Sequence, residues 1–155
     1  MVNTHALETR IPPPVVALVA LLLMWSLAAW LPGPTSPGWR MPAALALVAI
    51  GAAFDVAGLW AFHRARTTVN PMKPQATAHL VTGGVYRLTR NPMYLGLVLF
   101  LSAAMVYLWS PWAVLGPVAF VAYINRFQIA PEERVMRERF GADHTDWCAR
   151  VRRWL

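Results

Sequence analysis

The chain has 155 residues, of which 57% are hydrophobic and only 14% charged, against about 25% charged in a typical soluble domain. That balance leaves room for one domain, residues 1–155, and excludes an ordinary water-soluble fold. The net charge of +7 brings nucleic acid to mind, but twelve of the 14 Lys and Arg residues lie between His63 and Pro92 or from Arg126 onward, beside apolar runs. This is the pattern of juxtamembrane loops facing an anionic leaflet, so membrane lipids are expected as partners and nucleic acid is not.

The first apolar segment, 15–31, follows Pro12-Pro13-Pro14. A weak basic flank, the lack of a small-residue cleavage pattern and the hydrophobic segments that follow argue for a span and against a signal peptide. Pro32-Gly33-Pro34 through Pro37-Gly38 is turn material that sends the chain back. The second segment, 41–62, is interrupted only by Asp55 and has the length of a span. The third and fourth, 92–109 and 112–127, are shorter and joined by Ser110-Pro111, with Tyr107, Trp109 and Trp112 as interfacial anchors. A re-entrant hairpin is the alternative reading of these two.

The expected fold class is therefore an all-α integral membrane protein with about four transmembrane helices. The concentration of Lys and Arg in the second loop and the tail places both of these, and both termini, on the cytoplasmic side, with a bacterial inner membrane as the expected location. In the tail, 128–155, Pro131 is expected to open a helix with Glu132 and Glu133 in its first turn, and Gly141 to stop it. A second short helix is then expected from Asp143, with Trp147, Val151 and Trp154 forming an apolar stripe that lies on the membrane or packs on the protein. The single cysteine, Cys148, forms no internal disulfide and rules out a cysteine-clustered metal site; no metal is expected.

Polar residues near hydrocarbon narrow the search for chemistry. Asp55 reads either as a contact to substrate or cofactor or, more commonly for such an acid, as a helix–helix or water contact. His63 and Arg64 leave the second span where Asn125 and Arg126 leave the fourth, so the two pairs are candidates to converge below the membrane surface. The second loop contains Thr67-Thr68-Val69-Asn70-Pro71 and Lys73, then Thr82-Gly83-Gly84-Val85-Tyr86-Arg87-Leu88-Thr89-Arg90-Asn91-Pro92-Met93-Tyr94-Leu95-Gly96. The glycine pair permits a tight turn or close approach to a ligand. Arg90 suits a bidentate contact with a carboxylate, and Pro92 suits a helix start.

This run resembles the signature of the isoprenylcysteine carboxyl methyltransferase and phospholipid methyltransferase superfamily of integral membrane enzymes. Gly84, Tyr86, Arg90, Pro92, Tyr94 and Gly96 match its first stretch. Glu132-Glu133, Phe140-Gly141 and Val151-Arg152-Arg153-Trp154 match the second, one helical hairpin later. The resemblance spans roughly 67–154, with Asn91 standing where many members have histidine. It implies S-adenosylmethionine as cofactor in a cytoplasmic pocket, with Tyr86, Arg90, Asn91 and Tyr94 on one side and Glu132 and Glu133 on the other. Arg90, Glu133 and Asn125 are the candidates nearest the chemistry. For Glu132 and Glu133 the plainer reading is helix-start stabilisation, with Glu133 and Arg137 as an i,i+4 pair.

Methyl transfer needs a nucleophile held in line and water excluded. A carboxylate needs no general base, whereas a protonated amine or a thiol must first lose a proton. The expected acceptor is therefore an apolar or membrane-embedded molecule, foremost an isoprenylcysteine-like carboxylate, with a phospholipid amine or a small thiol as alternatives. A nicotinamide-dependent enzyme of the sterol reductase type and a non-enzymatic membrane protein are the competing readings.

Overall fold

The computed structural model describes residues 8–66 and 79–155. The loop residues Thr67 to Pro71 and Lys73 lie outside the described residues. Helices cover every apolar segment: α1 (Pro13–Trp30), α2 (Arg40–Arg64), α3 (Pro92–Leu108) and α4 (Leu115–Ile124), the last running on into α5 (Ala130–Arg150). Proline opens α1 and α3, where its missing N–H costs nothing. Three helical stretches are long and apolar enough to cross a membrane: Pro13–Trp30, Arg40–Arg64 and the continuous run Pro111–Arg150; α3 is apolar but shorter, at 17 residues. Their outward faces carry Leu22, Leu23, Trp25, Leu45, Val56 and Trp60, all well exposed. With no polar face to turn to water, these helices sit in lipid, and the chain is an integral membrane protein.

The core joins Met24 of α1, Leu101 of α3 and Phe120 and Ile124 of α4, with Ala113 and Ile129. A Cβ at Gly116 would overlap Met24, so glycine there lets α1 and α4 close up. The pair α2 and α3 packs most extensively, through small residues that allow close backbone approach. Gly51 and Gly96 face each other across this crossing, and a Cβ at Gly96 would collide with Asp55.

The junction of α4 and α5 differs from the expected break. A π-turn, Asn125–Ile129, carries the helix through, with the Ala130 N–H bonded to the Asn125 carbonyl five residues back. Pro131 has no N–H to give the Phe127 carbonyl, its partner in a regular α-helix. That carbonyl instead accepts the Thr9 N–H at 3.0 Å, while Glu8 pairs with Arg134 at 2.6 Å and Arg126 at 3.5 Å. The residues before α1 thus satisfy the backbone group that Pro131 orphans, and the helix continues.

Gly141 does interrupt α5: its φ of 51° and ψ of −119° put a kink there that a residue with a side chain would resist. The second helical piece, however, ends at Arg150, and Val151 is extended. The expected Trp147–Val151–Trp154 helical stripe does not form. Trp147 and Val151 are buried against Tyr86, and the closing segment crosses the start of α3 as a strap. The Arg152 carbonyl accepts the Arg90 N–H, and the Arg153 carbonyl accepts Thr89 Oγ1 and Asn91 Nδ2. Three tertiary hydrogen bonds outweigh one more helical turn whose last carbonyls would have no intrahelical partners.

Candidate functional site

The loop before α3 is shaped by its glycines and locked by its aromatics. Gly84 has a φ of 61°, and a Cβ there would meet nothing within 4 Å, so the residue serves the turn and leaves open space beside it. The 3-10 turn Gly84–Arg87 then buries Tyr86. Its ring meets Phe62 edge-on at 5.6 Å and Trp147 at 6.4 Å, and its carbonyl accepts the Trp147 indole N–H at 3.2 Å. Thr89, fully buried, turns the chain toward the strap.

Two acid clusters follow, and adjacent glutamates have different fates. Glu133 is committed to two arginines: Oε1 takes Arg90 at 2.9 Å and Arg153 Nε at 3.2 Å, and Oε2 takes Arg153 Nη2 at 2.6 Å. These partners come from the loop and the strap, not from Arg137 in the next turn as the helix-pair reading had it. Glu132 accepts the Tyr94 hydroxyl at 2.6 Å and the Gln128 amide at 2.7 Å, both on Oε1. Both of these bonds fall on Oε1, so Oε2 takes none among the described residues, and the buried Arg90 Nε has no partner among them. The cluster therefore keeps one acceptor and one donor in reserve, on side chains anchored by their remaining atoms.

The apolar part of the long helix ends near Ile129, and the electrostatics beyond it follow from burial. Desolvation pushes the Glu132 carboxyl up to about 7, opposed by its two hydrogen bonds and reinforced by the charge of Glu133. The Tyr86 hydroxyl is raised, first by burial and then by Glu132. Burial holds the His144 imidazole below its ordinary range, with Glu133 pulling the other way.

Of the candidates read from the sequence, Tyr86, Arg90, Tyr94, Glu132 and Glu133 come together around this cluster. Asn91 faces the strap, donating to the Arg153 carbonyl at 2.9 Å, and Asn125 accepts the Trp154 indole N–H at 3.2 Å. Among the described residues the exits of α2 and α4 hold separate partners: His63 lies against Trp60, and Arg126 pairs with Glu8. Asp55 lies over Gly96, two residues from Tyr94 and so on nearly the opposite side of α3. Sequence reasoning missed Gln128 and the pairing of Arg153. Gln128 carried a weak signal, an amide four residues before Glu132 in an apolar run; Arg153 stood in the closing motif, but nothing in the sequence named Glu133 as its partner.

The family model for phospholipid methyltransferases matches residues 39–143. The chain belongs to that family. It is accordingly an S-adenosylmethionine-dependent methyltransferase of the membrane. Among its relatives, an uncharacterized protein of Haemophilus influenzae is 43% identical over 63 residues, 41% of this chain and 100% of that one. Protein-S-isoprenylcysteine O-methyltransferase B of Arabidopsis thaliana is 24% identical over 137 residues, 86% of this chain and 68% of the relative. The A form from the same plant is 28% identical over 141 residues, 85% and 70% of the two chains. No solved structure matches.

Proposed function

We propose that this methyltransferase modifies a carboxylate on an apolar, isoprenylcysteine-like acceptor, with S-adenosylmethionine held between the motif loop, the start of α3 and α5. The observation that supports it is the pair of unused polar atoms, Glu132 Oε2 and Arg90 Nε. The amino-acid end of the cofactor is a zwitterion, and an acceptor and a donor in one cluster suit its ammonium and carboxylate respectively. When bound, the cofactor supplies a methyl group already activated by its sulfonium.

The chain's own residues then bind and orient. Glu133 and Arg153 fix the Arg90 guanidinium, and Tyr94 fixes Glu132. Tyr86 and Tyr94 offer ring faces to a cation or to adenine, while Asn91 and Asn125 hold the strap that closes the site against water. A carboxylate acceptor asks for no general base, which agrees with a cluster whose basic groups are engaged in ion pairs or buried. The spans are read as four crossings, with the second loop and the tail cytoplasmic and the acceptor's apolar part entering sideways from lipid.

Calorimetric titration of S-adenosylmethionine and S-adenosylhomocysteine into nanodisc-held protein tests this, with an Arg90→Ala, Glu133→Ala double variant beside it. Saturable binding that the variant loses is expected. Methyl transfer to a prenylated cysteine, but not to its carboxamide, would then fix the acceptor class. Transfer to a phospholipid amine or a small thiol instead would overturn it.

A further inference from the structure

Gln128 is 2% exposed, between Ile124 at 0% and Ile129 at 1%, in a stretch where leucine would pack without cost. A buried amide there is unfavourable unless its hydrogen bonds are used. Its Nε2 donates to Glu132 Oε1 at 2.7 Å, on the same oxygen that accepts Tyr94 at 2.6 Å. A carboxylate tethered once swings about its terminal torsion, which has only broad minima. Donors from two directions fix its plane.

We propose that Gln128 is a positioning residue: together with Tyr94 it pins one oxygen of Glu132 so that the other stays turned toward the ammonium of the cofactor. The assignment rests on the cofactor reading above and adds to it a residue that touches no substrate. The groups that act on Glu132 are Tyr94 from α3, Gln128 from the π-turn, Tyr86 from the 3-10 turn and Glu133 beside it, which is itself paired with Arg90 and Arg153. Among these partners only Tyr94 and Gln128 donate directly to its carboxylate. Removing the Gln128 donor therefore disfavours the ionised form of Glu132 as well as loosening it.

The test is calorimetry of S-adenosylhomocysteine with nanodisc-held parent, Gln128→Leu, Gln128→Asn and Glu132→Gln proteins across neutral pH. In the parent, affinity should rise as pH passes through the Glu132 titration. In Gln128→Leu that midpoint should move up by about one unit and affinity at pH ~7 should fall about tenfold, the weight of one hydrogen bond to a charged group. Gln128→Asn keeps a buried amide but retracts it, so it should move the midpoint the same way even where leucine hinders folding. Glu132→Gln should abolish the pH step. A folded Gln128 variant with the parent's midpoint overturns the assignment, as does a loss of affinity equal at every pH. A folded parent that binds no S-adenosylhomocysteine sinks the cofactor reading itself, whereas a parent that binds with no pH step sinks only the Glu132–Gln128 geometry.

Discussion

The two ends of α3 solve opposite problems with similar residue types. At its end, Trp109 adopts a left-handed conformation and Gly33 packs against its carbonyl; Trp39 stands edge-on to the Trp109 ring at 5.0 Å. Arg40 donates to the Tyr107 carbonyl at 3.1 Å, and Ser110 donates to the Leu31 carbonyl at 3.0 Å. The polar side chains named at that end point at backbone. At the start of the helix, arginine, tyrosine and glutamate bond to one another, yet Arg90 Nε and Glu132 Oε2 are left over. The end that only holds helices together uses up these donors, whereas the start of α3 keeps a donor and an acceptor in hand, as the proposed cofactor site requires.

The sharpest way to break this contrast is Arg90→Ala. It removes the spare donor and half of the support of Glu133, so cofactor affinity should fall about 100-fold, in the range of hydrogen bonds to charged groups counted twice. Gly33→Val, at the other end, should lower the melting temperature and leave the affinity of the folded fraction unchanged, because its side chain would overlap the Trp109 carbonyl. Equal effects on binding from both substitutions would erase the distinction. Next in size, Glu133→Ala leaves Arg90 and Arg153 facing each other without their shared anion. It should weaken cofactor binding about tenfold or more, while Arg137→Ala should change it little.

How much of this was readable in advance depends on the range of the interaction. The apolar segments, the Pro32–Pro34 reversal and the interruption at Gly141 are written in neighbouring residues, and so was the motif that gathers Tyr86, Arg90 and Tyr94. The π-turn was hidden because its cause is split: Pro131 orphans a carbonyl, but Thr9, more than a hundred residues earlier, satisfies it. The strap was hidden for the same reason. Trp147, Val151 and Trp154 have helical spacing, and only the distant donors on Arg90, Thr89 and Asn91 favour an extended chain after Arg150. Adjacent glutamates look alike in sequence and are told apart only by partners from three other segments.

That last difference can be sharpened through pH. Because the Glu132 carboxyl titrates near 7 in the folded protein and near 4.5 as a free side chain, the folded state keeps a proton that the unfolded chain has lost between those values. The stabilisation is full below about 4.5 and disappears as pH rises through about 7. Parent protein should therefore lose melting temperature relative to Glu132→Gln between pH ~5 and ~8. Bound S-adenosylhomocysteine should narrow the Glu132 window by favouring the ionised form, with proton release on binding near pH ~7.

The smallest effect probes the closed end on its own terms. Trp39→Ala removes one edge-to-face aromatic pair, worth about 1 kcal/mol beyond the area it buries, from a ring that is itself half exposed at 54%. The Gly33 contact and the Arg40 and Ser110 hydrogen bonds remain, so the helix ends should stay joined and the melting temperature should drop by only a few degrees. Cofactor affinity and its pH midpoint should match the parent, since α3 rises about 1.5 Å per residue and Trp109 lies fifteen residues from Tyr94. A shift in the binding midpoint from this variant would mean that α3 transmits strain along its length, and that the two ends form one device rather than two.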